Sequence, residues 1–185
     1  LRAALLGPAS PAEDSFAHLA ETALVAQWLG SPDSAHLAYA SSTAPELRYA
    51  SKASGAWLSE RVDATDLGCF DASILDLAVE GDGTPHVIYA GAAPGYGLHH
   101  AVKRAGAWTI ETLDEGWVIS PSLALEADGT PQVAFVVVGS WELWHGRRDA
   151  FGGWTRERVE TYAQTPSLAL DAAGAAHLSY FTHGL

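Results

Sequence analysis

The chain has 185 residues, long enough to bury a sizeable core in a single domain. Its formal charge of −12 excludes the basic face that nucleic acid demands, and it argues against an anionic membrane surface. One cysteine, Cys69, allows no internal disulfide and reads as a small apolar filler, and no apolar run approaches the ~20 residues of a membrane helix.

The first residues lack the long apolar core of a secretion signal, and the chain contains no Met, which reads as a mature or trimmed segment. Leu1-Arg2-Ala3-Ala4 aligns with Leu47-Arg48-Tyr49-Ala50. Ser10 and Glu13 then fall where Trp57 and Glu60 fall. Ser15 to Leu29 has a partial helical register through Phe16, Leu19 and Leu24, but the phase of the repeat expects strand there.

That repeat dominates the rest of the chain. A Gly-Ala-Trp or Gly-Gly-Trp step with Glu three residues after the Trp occurs at Trp57/Glu60, Trp108/Glu111 and Trp154/Glu157, spaced 51 and 46 residues apart. Upstream of each stands a second signature: His36-Leu-Ala-Tyr39, His86-Val-Ile-Tyr89 and Gln132-Val-Ala-Phe135. A fourth copy, His177-Leu-Ser-Tyr180, lies near the end. A period of this length marks a repeat architecture.

The third copy shows how one unit is built. Ser122 to Leu125 reads as a short strand, and Asp128-Gly129 as a tight hairpin turn. Gln132 to Val138 is a β-branched and aromatic strand, broken by Gly139-Ser140. Glu142 to Arg148 is a third strand, Phe151-Gly152-Gly153 a turn, and Trp154 to Glu160 a fourth strand. Ser167 to Asp171 and Ala176 to Phe181 read as first and second strands again.

Four short antiparallel strands per unit make the blade of a β-propeller. The expected fold is therefore all-β, a single domain over 1–185. Its four-stranded blades lie at 21–72, 73–120 and 121–165. A fourth blade is split between 166–185 and 1–20, so that pairing of the termini seals the ring. The alternative is a piece of a longer propeller that associates with other copies through the split blade.

The pattern Ser-Leu-Ala-Leu-Asp/Glu, Gly-x-Pro-His-x-x-Tyr, Leu-x-Tyr/His-Ala, Gly-x-Trp-x-x-Glu-x-Val resembles the propeller repeats of many bacterial surface and secreted proteins. The resemblance spans nearly the whole chain. It implies the propeller fold and a secreted or cell-surface bacterial setting. It leaves function open, because such repeats serve binders, enzymes and scaffolds alike.

Each face of such a propeller carries a candidate site. On the face with the first–second turns, His36, His86 and His177 share one repeat position, with Gln132 in the fourth copy. Six residues earlier stand Glu80, Glu126 and Asp171, with Gly30 in the first copy. Converging near the axis, the imidazoles would ligate a divalent metal such as Zn²⁺, and a carboxylate would act as general base or orient a ligand. That reading is a small metal-dependent hydrolase of an ester or phosphoester. The structural alternative is that His and acid brace the same hairpin. His100 and His145 align with Tyr49 as packing between blades, while His99 faces the other way; His18 and His183 lie in irregular stretches.

The opposite face collects aromatics and acids from the blade links and the second–third loops: Asp66, Cys69, Phe70, Asp71, Asp114, Glu115, Tyr96, Trp117, Trp141, Tyr162 and, at the end, His183. Tyr96, Trp117, Trp141 and Tyr162 suit a carbohydrate-binding, lectin-like module, in which rings stack on sugar C–H faces. Equally, Trp117 and Tyr162 would plug the axis. A scaffold without a ligand is the third reading. The repeated Trp57, Trp108 and Trp154 read as blade packing, and their partner Glu60, Glu111 and Glu157 as acceptors for turn or strand-edge donors. Arg147, Arg148, Arg156 and Arg158 read as a solvated outer strand. Gly81-Asp82-Gly83-Thr84 lacks the Lys of a phosphate loop, and no Gly-x-Ser-x-Gly elbow is present.

Overall fold

A computed structural model describes residues 24–28, 35–40, 45–53, 56–65, 67, 74–92 and 95–182. Among these residues every regular element is a β-strand. The first sheet is β1 (Leu24–Trp28), β2 (Ala35–Ala40), β3 (Leu47–Ala53) and β4 (Ala56–Asp63). The second is β5 (Leu75–Val79), β6 (Pro85–Gly91), β7 (Gly97–Arg104) and β8 (Ala107–Asp114). The third is β9 (Val118–Leu125), β10 (Pro131–Val137), β11 (Glu142–Arg148) and β12 (Trp154–Thr161). β13 (Ala163–Leu170) and β14 (Ala176–Thr182) pair with each other. All pairings are antiparallel between consecutive strands, so each sheet is a meander.

The partial helical register over Ser15 to Leu29 gives way to strand at Leu24–Trp28, as the repeat phase requires. Residues 1–20, Gly30, His18, Asp66, Cys69, Phe70, Asp71 and His183 lie outside the described residues. The first strands of the third and fourth units start earlier than Ser122 and Ser167, and each passes through a proline. Proline cannot donate to a ladder, and the chain accommodates it with a bulge. The register shifts opposite Pro121 and around Pro166. Ser120 and Thr165, the residues before those prolines, take positive φ of 51° and 46°.

Sheets stack through their first strands, β1 on β5, β5 on β9 and β9 on β13. The core is correspondingly a series of layers between sheets. Leu47, Tyr49, Leu77, Val87 and Tyr89 fill the first layer, and Ile88, Leu98, Leu123, Val133 and Phe135 the second. Ala134, Val136, Leu143, Ala163 and Leu168 fill the third. Alternation along β6 sends Val87 and Tyr89 into one layer and Ile88 into the next. Every residue of β6 is buried for that reason.

The repeated Trp and Glu join one sheet to the next. Trp108 packs edge-on against Tyr49 of the first sheet, ring centroids 5.4 Å apart. Its indole N–H donates to Glu60 at 3.0 Å, and Lys103 Nζ donates to the same oxygen at 2.5 Å. One junction on, Trp154 lies edge-on against His100 at 5.7 Å, and Arg148 donates to Glu111 at 3.1 Å. Glu60 and Glu111 thus accept from the following sheet rather than from their own turns, a correction to the sequence reading, whereas Glu157 meets His145 of its own sheet. The arginines of the third sheet are likewise engaged. Arg147 pairs with Glu126, Arg156 with Asp114 and Arg158 with Glu142, and Arg156 also lies over the Trp144 ring.

Candidate functional site

On the first–second hairpin face, each histidine serves its own sheet. His36 Nδ1 pairs with the Tyr49 hydroxyl. His86 Nε2 donates to Glu80 at 2.6 Å, and its Nδ1 meets His100 Nε2 at 3.0 Å. His100 Nδ1 then reaches Glu111 at 2.9 Å. Gln132 donates to Glu126 at 2.8 Å, and its carbonyl accepts from His145 Nε2 at 2.9 Å. His177 Nε2 stands 3.5 Å from Asp171.

The structure therefore does not bring His36, His86 and His177 to one centre. Among the described residues no cluster of three or more His, Cys, Asp or Glu side chains has the arrangement of a metal site. Both ring nitrogens of His86 are engaged by protein groups, so that this histidine braces its own hairpin. The acids have the same character. Glu80 accepts from Arg104 at 2.6 Å and lies so close to Gly129 of the next hairpin that a Cβ there would stand 2.6 Å from Glu80 Oε2. Glu126 is held below the usual carboxylate range by its bond from Arg147, with Gln132 assisting. Asp171 is held low by the backbone N–H groups of Ala175 and Ala173. Neither Glu126 nor Asp171 is thereby poised as a general base, a role that calls for a carboxyl raised toward neutrality.

Burial lowers the His86 imidazole to about 4, with the charge of His100 acting in the same direction and Glu80 opposing. Burial also lowers His36. Buried imidazoles of this kind are neutral hydrogen-bonding elements at neutral pH.

Sequence reasoning missed two contacts between sheets. The buried Tyr89 hydroxyl donates to Asp63 at 2.6 Å. On β5, Asp76 accepts from Leu123 N at 2.8 Å and from Ser122 Oγ at 3.4 Å, reaching across to the third sheet. Burial raises the Asp76 carboxyl against these hydrogen bonds. The signal was available: Asp76 occupies the repeat position of Ser122 and Ser167. Ser122 Oγ makes the matching contact one junction on, accepting from Leu168 N at 3.1 Å.

The opposite face is different. Tyr96, in the β6–β7 loop, stacks on Trp117, in the link from β8 to β9, with centroids 5.6 Å apart and planes 27° apart. Both rings stay open to solvent, 42% and 52% exposed. In the next sheet, Trp141 of the β10–β11 loop packs partly on the third core layer, and Tyr162 of the β12–β13 link is 49% exposed. Trp117 and Tyr162 are thus surface rings rather than plugs. The loops are tied together by main-chain bonds. Val138 N donates to Trp117 O at 2.8 Å, and Ala163 N donates to Trp141 O at 3.1 Å. Of the acids nearby, Asp114 is occupied by Arg156 and by Gly116 N, while Glu115 is exposed. Flat, solvent-facing rings beside hydrogen-bonding groups suit a ligand with one apolar face and polar edges.

No protein-family model matches the chain, and no curated protein matches it in sequence. Among solved structures it is similar to an endo-arabinase from Bacteroides thetaiotaomicron, which has a β-propeller fold. The similarity covers 85% of this chain and 68% of that one, with a TM-score of 0.53 and 11% identity. At that identity the likeness is one of fold.

Proposed function

We propose that the chain is a carbohydrate-binding β-propeller module whose ligand lies on the loop face carrying Tyr96, Trp117, Trp141 and Tyr162. The observation that supports it is the stacked, solvent-exposed Tyr96–Trp117 pair, a large aromatic surface left open on the loop face. The arabinase neighbour suggests arabinan-derived sugars as first probes. The metal-dependent hydrolase has no comparable support, since its ligands and bases are used up in hairpin contacts. A glycan array followed by calorimetric titration, with Trp117→Ala as control, tests the reading. Binding abolished in the variant is expected. Silence of the parent protein toward every glycan would sink it.

The ring itself is part of this reading. β14 pairs only with β13 among the described residues, and its Tyr180 and Phe181 are exposed. Beside it a groove of about 580 Å³ runs between Gln132, His145, Glu157, Leu178 and Tyr180. We propose that residues 1–20 complete this fourth sheet and cover the groove. In the repeat alignment Ser10 falls where Trp108 and Trp154 stand. Removal of residues 1–20 is expected to convert a monomer into larger species, read by light scattering. An unchanged monomer would show that they do not cover β14.

A further inference from the structure

We infer that the aromatic face takes an extended, uncharged polysaccharide chain laid across the second and third sheets, rather than a single terminal sugar. This rests on the carbohydrate reading above and specifies its ligand. The first argument is recurrence. Tyr96 and Trp117 occupy a loop and a link of the second sheet, and Trp141 and Tyr162 occupy the same loop and link of the third. Packed sheets lie ~10 Å apart, so equivalent rings one sheet apart are separated by more than one sugar ring. The rim between them is continuous. Trp117 O accepts from Val138 N, Trp141 N donates to Val137 O, and Trp141 O accepts from Ala163 N, at 2.8, 2.9 and 3.1 Å.

The second argument is backbone strain. Trp141 and Tyr162 have positive φ of 54° and 56°, a conformation costly for any bulky side chain. Elsewhere in this chain the same demand is met by glycine, as at Gly83, Gly129 and Gly174, or by side chains smaller than an aromatic ring, at Ala105, Ser120 and Thr165. Keeping two large rings where glycine would relieve the strain points to what the rings contact. The third argument is charge. The loops and links at 92–96, 115–117, 138–141 and 162 contain no Lys or Arg. Arg156 and Arg158, on the adjoining β12, are neutralised by Asp114 and Glu142, and Glu115 stands exposed beside Trp117. Among the described residues an anionic glycan would meet no free cation on this rim.

The test is titration of the full chain with arabino- and cello-oligosaccharides from monosaccharide to hexasaccharide, and with polygalacturonate fragments of the same lengths. Affinity is expected to rise with length in at least one neutral series and to be absent for the acidic one. Tyr162→Gly is expected to fold at least as stably as the parent, because glycine relieves the positive φ. It should lose roughly tenfold in affinity for the longest sugar, and the loss should shrink as the sugar shortens. Affinity that does not depend on length, or tightest binding of the acidic series, would overturn this inference while leaving carbohydrate binding intact. Hexasaccharide affinity unchanged in a folded Tyr162→Gly protein would overturn it too. No binding in any series would remove the carbohydrate reading and this inference together.

Discussion

Trp108 of the second sheet and Glu60 of the first are joined by a 3.0 Å hydrogen bond from indole to carboxylate. The bond crosses the seam between sheets and explains why the two residue types recur together. The indole fills the seam, and the acid receives both its N–H and the Lys103 ammonium. Glu60→Ala removes the shared acceptor and leaves a partly buried indole donor without a partner. It is expected to destabilise the fold by about 1–3 kcal/mol in urea titration. Leu58→Ser, at a well-exposed position of the same strand, serves as control and should stay within about 0.5 kcal/mol of the parent. Equal effects of the two changes would refute the seam role.

Gly129 is required twice over. Its φ is +84°, and a Cβ would meet the Glu80 carboxylate, which Arg104 and His86 hold in place. Gly129→Ala should therefore cost roughly 1–3 kcal/mol. Gly106→Ala has a similar positive φ of 82° but no neighbour within 4 Å, and should cost less. Chemical denaturation of the pair separates steric contact from backbone strain, and a milder effect at Gly129 would contradict the contact.

Stability should fall in mild acid. Folded His86 stays neutral down to about 4, whereas an unfolded imidazole protonates near its ordinary value of 6.5. Between those values the unfolded chain binds more protons, so lowering the pH favours unfolding, and above the window His86 contributes no slope. The depressed carboxyls of Glu126 and Asp171 add their loss only at lower pH. Urea midpoints compared at about pH 7 and about pH 5 should show the drop. His86→Gln, which copies Gln132 of the third sheet, should reduce it. A drop of the same size in the variant would assign the effect elsewhere.

Chelation should leave the protein unchanged. The imidazoles expected to share a metal are each committed to a group in their own sheet. Thermal unfolding before and after dialysis against a strong chelator should superimpose. A fall in Tm restored by Zn²⁺ would revive the metal centre.

The strands were legible because their residues obey local rules. Glu142 to Arg148 alternates between Gly-rich turns and is β11 to the residue. The bulges were not, since Pro121 and Pro166 look like strand breakers until the neighbouring ladder absorbs them. The partners of the histidines were not legible either, for a different reason. Repetition places His36, His86 and His177 at equivalent positions, but equivalence does not say whether side chains turn toward a common centre or into their own sheet. Tyr49, His100 and His145, one strand over, decided the matter by offering each sheet a local partner. The aromatic face was legible as a list of rings in loops. Its exposure and the Tyr96–Trp117 stack were not, because both depend on how successive sheets approach.

The seam between sheets also has a direction. At the first two junctions the acid belongs to the earlier sheet and the basic donor to the later one, Glu60 with Lys103, then Glu111 with Arg148. Glu157, next in the series, has a side chain 76% exposed and among the described residues meets His145 of its own sheet. Such a contact works like a plug and socket: the leading and trailing flanks of a blade are not interchangeable. An extra repeat spliced after β14 would have to present a cation and an indole to its predecessor. One spliced before β1 would have to present a carboxylate to its successor. The order of blades is thereby written into side-chain polarity, independently of the loops that connect them.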